Sequence, residues 1–193
     1  MSKTRVLVLR GGPSSEFEVS LKTGESVLAA LPKERYHAHD VVISKTGDWL
    51  LNGRRREPHE VLHMGDVVFI ALHGAYGEDG TLQRLLEKFG VPYTGSRSYQ
   101  STIAMNKAMT KDKLRDSGIL LARHMVVGQS AKHDTHATAK SIVSLFNTSQ
   151  FVVKPIAGGS SVDTQKVDGQ LALSQTLSQL LASYEQLLVE EYI

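Results

Sequence analysis

Residues 67–80 read VVFIALHGAYGEDG. Six consecutive apolar residues, 67–72, are what a strand covered on both faces requires. A glycine-rich loop follows, then a helix over 81–89 with Leu82, Leu85, Leu86 and Phe89 spaced to face inward. The same order of strand, glycine loop and helix occurs upstream. RVLVL (5–9) is a short apolar strand halted by Gly11-Gly12-Pro13. In the helix after it, Ser15 and Glu18 are spaced as a capping box. Phe17, Leu21, Gly24, Leu28 and Leu31 share one helical face, and Pro32 ends it. A strand over 39–44 and a small arm at 49–51 precede the Asn52-Gly53 turn. This rhythm predicts an α/β fold with a parallel sheet, its loops gathered at the strand C-termini, where open α/β sheets hold ligands.

The second half has another character. One helix is expected over 101–117, with Ala104, Ala108 and Met109 on one face and Lys107, Lys111 and Lys113 nearby; Gly118 stops it. Lys111 and Lys113 read as a solvated face. Strand 123–127, helix 135–146, antiparallel strands 151–154 and 162–167, helix 171–181 and strand 187–193 complete the chain. The change of character places a boundary near Ser101, dividing residues 1–100 from 101–193.

Composition narrows the class. The 193 residues carry a formal net charge of +2, 41% hydrophobic and 22% charged residues, and no cysteine. These values suit a globular protein without a disulfide framework or thiolate metal site, in a reducing compartment. No strong basic field argues for nucleic acid, and Arg54-Arg55-Arg56 reads as a solvated loop. No apolar run reaches membrane-spanning length, and the N-terminus alternates like a strand. The chain reads as cytoplasmic.

Four segments carry candidate chemistry. FVVKPIAGGSSVD (151–163) delivers Lys154 from an apolar strand into a Gly-Gly-Ser-Ser loop. A compact cation, close-approaching backbone and hydroxyl donors suit phosphate oxygens, although the composition also suits a plain hairpin. Lys107 could straddle a polyphosphate with Lys154, or lie on a solvated face. Glu16 and Glu18 at a helix start would repel phosphate and welcome an amine, or simply complement the helix dipole. His73 ends a buried strand at the ligand-facing edge, or is a hydrogen-bonded structural residue; Asp79 or Gly80 could be a helix N-cap. Glu190-Glu191 follows an apolar run and reads either as protective charge on an edge strand or as a hinge meeting adenine.

Taken in order, GGPSSEFEVSL, FIALHGAYGEDGTLQ with GVPYTGS, AMNKAMTK, FVVKPIAGGSSV and LLVEEYI resemble the D-alanine–D-alanine ligases of the ATP-grasp family. The resemblance covers nearly the whole chain. It implies a pre-ATP-grasp substrate domain (1–100) followed by the first α+β lobe of an ATP-grasp domain (101–193), with the second lobe missing. It implies that Glu16 holds the ammonium of a first D-alanine, that His73 lies near its carboxylate and that Glu78 supports the loop. Lys107 and Lys154 would contact ATP phosphates. Ser160 would position Glu16 and the substrate, and Ser161 would belong to the phosphate loop. Glu190, Glu191 and Ile193 would meet adenine.

The implied reaction joins two D-alanines through an acyl phosphate for peptidoglycan precursor synthesis. ATP and Mg2+ or Mn2+ would take part, the metal ligands lying in the missing lobe and none within this chain. The expected partners are D-alanine and ATP, without nucleic acid or membrane, and self-association would run through the first domain. Two departures bear on activity: Asp163 stands where glycine is usual, and the chain stops at the hinge. They make the chain alone an expected inactive fragment. A related ligase with another acceptor, such as D-lactate, and a non-catalytic binding form are the other readings.

Overall fold

The computed structural model describes residues 2–158 and 163–193. The chain divides into two compact units, Met1–Ala104 and Met105–Ile193.

The first unit contains β1 (Thr4–Gly11), α1 (Phe17–Ala30), β2 (Tyr36–Ile43), β3 (Trp49–Leu51), β4 (Arg54–Arg56), α2 (Pro58–Leu62), β5 (Val67–Ile70), α3 (Thr81–Lys88) and α4 (Ser98–Met105), whose last residue passes the division. Its sheet runs β4-β3-β2-β1-β5. The pairs β1–β2 and β1–β5 are parallel, as the βαβ rhythm requires, while β2–β3 and β3–β4 are antiparallel. Alternate residues of β1 feed both faces. Leu7 and Leu9 pack with Val41, Ile43, Leu82 and Leu86 on one side, and Val6 and Val8 with Val27 and Leu28 of α1 and Leu31 just past its end on the other.

Several local expectations are corrected. Arg54-Arg55-Arg56 is an exposed edge strand rather than a loop, so arginine there also discourages further strand pairing. Ser15 is not the cap of α1. Glu16 occupies that position without a side-chain cap, and Ser14 accepts the Glu16 N–H instead. Phe89 is 37% exposed because α3 ends at Lys88 and the chain turns away. Gln83, missed by the apolar pattern, is buried and donates from its amide nitrogen to the Gly77 carbonyl at 2.6 Å.

After α3, Glu87 pins the following segment by accepting from the Ser98 hydroxyl and N–H and from the Tyr93 hydroxyl. These donors hold the Glu87 carboxyl down at about 2, against 4.5 when unperturbed. A carboxylate depressed in the folded state stabilises it above its unfolded value and loses that contribution as protons bind. Acid titration of the unfolding midpoint should therefore show a decline from about pH 4.5 towards 2, and Glu87→Gln should flatten that part of the curve. An unchanged acid limb in the variant would exclude the linkage.

The second unit contains α5 (Lys107–Leu114), β6 (His124–Gly128), α6 (Thr135–Phe146), β7 (Gln150–Pro155), β8 (Gln165–Asp168), α7 (Gln170–Leu180) and β9 (Gln186–Glu191). Its sheet, β6-β9-β7-β8, is antiparallel throughout. Phe151, Val153, Leu187 and Val189 form the core with Ile142 and Phe146 of α6 and Leu173 and Leu177 of α7. The single helix expected over 101–117 is two. Asn106 leaves helical geometry and its side chain accepts the Ala108 and Met109 N–H groups, capping α5. The strand β9 lies between β6 and β7, so the edge-strand reading of Glu190-Glu191 is also corrected.

No helix among the described residues is long and apolar enough to cross a membrane.

Candidate functional site

In the first unit, parallel pairing of β1 with β5 sets their C-terminal loops side by side. The Ser14 hydroxyl ties the loops together by donating to the His73 carbonyl at 2.7 Å. Glu16 Oε2 lies over Gly74, where a β-carbon would come within 2.9 Å of it. The Glu16 carboxylate has no hydrogen-bond or ionic partner among the described residues, which suits a cationic ligand group. His73 Nε2 shares a hydrogen bond of 2.9 Å with the Thr23 hydroxyl of α1. Glu78 Oε2 accepts the Gly74 N–H at 2.6 Å and so closes the loop on itself.

Gly80 is the N-cap of α3; Asp79, just before it, accepts the Thr81 N–H and the Tyr76 N–H. Burial opposes its ionisation, but these N–H donors outweigh burial and keep its carboxyl below the ordinary range. A cavity of about 330 Å³ adjoins the loop, lined by Leu72, Glu78, Gln83, Thr94, Ser96 and Gln100 among others.

The second unit gathers its charge on the sheet face opposite α6 and α7. Residues two apart on a strand share a face. Lys154 on β7 and Leu188 and Glu190 on β9 thus point away from the core formed by Val153, Leu187 and Val189. Glu190 is 7% exposed, on a central strand. One of its carboxylate oxygens pairs with Lys154, and the other with Lys111 of α5 at 2.6 Å. Burial alone would raise the Glu190 carboxyl; the hydrogen bonds and charges of the two lysines reverse that and hold it ionised.

Lys107 donates to the Gly158 carbonyl at 2.7 Å, at the edge of the glycine loop. Burial first, and then the neighbouring Lys154 charge, lower its ammonium pKa. The Lys107 N–H also meets the Ile156 carbonyl at 2.9 Å, two residues beyond Lys154.

Glu191 is clasped by Arg123, which gives it a backbone N–H at 2.8 Å and guanidinium nitrogens at 2.6 Å. Ile193 is 88% exposed. Asp163 is held by the Tyr184 hydroxyl. Ser160 and Ser161 lie outside the described residues. Lys111 corrects the sequence reading most sharply: it is an ion-pair partner with a side chain only 13% exposed, not a solvated residue. Its spacing of four from Lys107 was the available signal, because i and i+4 share a helix face. Ser14 and Thr23 had no comparable pattern, since their partner, His73, is 59 and 50 positions away in sequence.

An α/β unit with a parallel-containing sheet is followed by an antiparallel sheet whose Lys154 shares Glu190 with Lys111 of α5. Residues 5–63 and 52–96 match the family profile described as D-ala D-ala ligase N-terminus. The chain is 36% identical over 191 residues to D-alanine–D-alanine ligase of Aquifex aeolicus, covering 98% of this chain and 59% of that protein. The structure of D-alanine–D-alanine ligase from Coxiella burnetii superposes with a TM-score of 0.83 at 26% identity, covering 99% of this chain and 64% of that one. That of Bacillus anthracis complexed with ATP gives 0.75 at 29% identity, covering 98% and 59%. The chain belongs to the D-alanine–D-alanine ligase family and matches its N-terminal portion. It spans little more than half the length of curated relatives such as this one.

Proposed function

We propose that this chain provides the first D-alanine site and the first nucleotide-binding lobe of an ATP-dependent ligase that joins two D-alanines for peptidoglycan precursor synthesis. The observation that carries this reading is that Lys107, whose N–H meets the Ile156 carbonyl and whose ammonium meets the Gly158 carbonyl, lies beside the stretch of chain that leaves Lys154. Glu190 offsets only part of the positive charge of Lys107, Lys111 and Lys154, and phosphate oxygens suit the remainder. The relative from Bacillus anthracis complexed with ATP supports the choice of anion.

In this reading the Glu16 carboxylate takes the ammonium of D-alanine, and His73, oriented by Thr23, faces its carboxylate. Glu78 keeps the loop closed. The backbone of residues 190–193 borders adenine, because the Glu190 and Glu191 carboxylates are already committed to Lys111, Lys154 and Arg123. In the ligation itself a phosphoryl group passes to the carboxylate of the first D-alanine, and the amine of the second displaces phosphate. Clustered cations stabilise the crowded oxygens of such a transfer. Among the described residues, no group of three or more His, Asp or Glu side chains is placed to hold a metal ion.

Titration calorimetry on the purified chain tests both halves. Lys154→Ala should weaken ATP binding by about 10- to 100-fold, the scale of a charge-assisted hydrogen bond. Glu16→Gln should weaken D-alanine binding and leave ATP binding unaltered. Equal ATP affinity in the lysine variant, or an effect of the glutamate variant on ATP alone, would refute the assignment.

A further inference from the structure

Lys111 lies one helical turn beyond Lys107 on α5, and its ammonium bridges two elements. It pairs with Glu190 Oε1 at 2.6 Å and donates to the Ala122 carbonyl at 3.1 Å. Lys154 takes the other Glu190 oxygen. One buried carboxylate is thus shared by two ammoniums.

We propose that Lys111 is a positioning residue that keeps Lys154 available to the phosphates of a nucleotide. It neutralises Glu190, so that Glu190 aims Lys154 without cancelling its charge. With Lys107, Lys111, Lys154 and Glu190 all ionised, the cluster carries two positive charges in excess. Removing Lys111 leaves one, and makes Lys154 the sole counter-ion of a carboxylate that is 7% exposed. Lys107 senses that carboxylate only through space, so Glu190 holds Lys154, its one remaining direct ion-pair partner, tightly, because an unpaired buried charge is costly. Lys154 is then drawn towards Glu190 and away from an incoming phosphate. This role deepens the nucleotide reading of the second unit and rests on it.

The test measures ADP and adenosine binding to the purified chain by titration calorimetry. Lys111→Met should lower ADP affinity by about tenfold or more and leave adenosine affinity nearly unchanged, since only the phosphates sense the lost charge. Lys111→Arg should restore ADP binding. The charge-compensated pair, Lys111→Met with Glu190→Gln, should also recover it, to within about threefold of the unsubstituted chain, because Lys154 then has no carboxylate to satisfy. A purely structural role predicts the reverse: ADP and adenosine affinities fall together, and the pair is no better than the single variant. Either result overturns the proposal. If Lys111→Met does not fold, the pair still decides, since a loss of ADP affinity of about tenfold in a folded pair contradicts charge balance. An unsubstituted chain that binds no ADP overturns the nucleotide reading and this role with it. ADP binding that is unaffected by Lys111→Met overturns this role alone.

Discussion

Glu190→Ala should destabilise the second unit by about 3–5 kcal/mol, the range for removing one partner of a buried ion pair. The substitution leaves Lys111 and Lys154, with side chains 13% and 23% exposed, facing each other without a counter-ion. The lost packing of a short side chain is minor beside that, because the site is polar. Glu190→Gln should fall between the two, since it keeps hydrogen-bond acceptance and loses the charge. Denaturant unfolding followed by far-UV circular dichroism measures the difference. A loss below about 1 kcal/mol would mean that both lysines swing into solvent without penalty, as exposed pairs do, and would remove the basis for a shared carboxylate.

Gly11→Ala should act on the first unit by a different route. Gly11 has φ +89°, and a β-carbon there would press on the Ile43 carbonyl oxygen and approach Phe17 Cε2 to 2.9 Å. The left-handed backbone costs an alanine about 1–3 kcal/mol. Overpacking against backbone that cannot retreat costs a further 1–3 kcal/mol or so. The Gly11 N–H also donates to buried Ser20 at 2.7 Å, and Ser20 passes its own proton to the Ala71 carbonyl at 2.8 Å. Displacing Gly11 therefore disturbs both loops that flank Glu16. The expected outcome is a lower unfolding midpoint together with weakened D-alanine binding. A variant of native stability would show that β1 and β2 can part at this end.

Much of the architecture was written in short-range pattern. The apolar run at 67–72 announced a strand, but its burial on both faces is corrected: β5 spans Val67–Ile70 at the edge of the sheet, with Val68 buried and its neighbours only partly covered. Helix α6 was legible to its ends, since Asp134 caps one terminus and Asn147, in left-handed geometry, closes the other. The break at Asn106 was missed because helical periodicity runs through it. Only the side-chain cap reveals that the chain leaves the helix there and begins again.

The candidate sites divide in the same way. Residue types and loop chemistry were enough to mark Glu16, His73, Lys107 and Lys154 as candidates. Nothing along the chain indicated that Glu190 would be shared by lysines 79 and 36 positions earlier. Nor did it indicate that Thr23 would orient His73 or that Tyr184 would engage Asp163.

Strand and helix identity, and the residue chemistry each loop carries, follow from backbone preference and the period of apolar positions, which act over a few residues. The charge state and direction of a side chain depend on which groups the folded sheets and helices bring within a few ångströms. Coulomb and hydrogen-bond energies take no account of sequence separation, so the partners of Lys111, Lys154 and Glu190 became visible only once α5, β7 and β9 had been assembled.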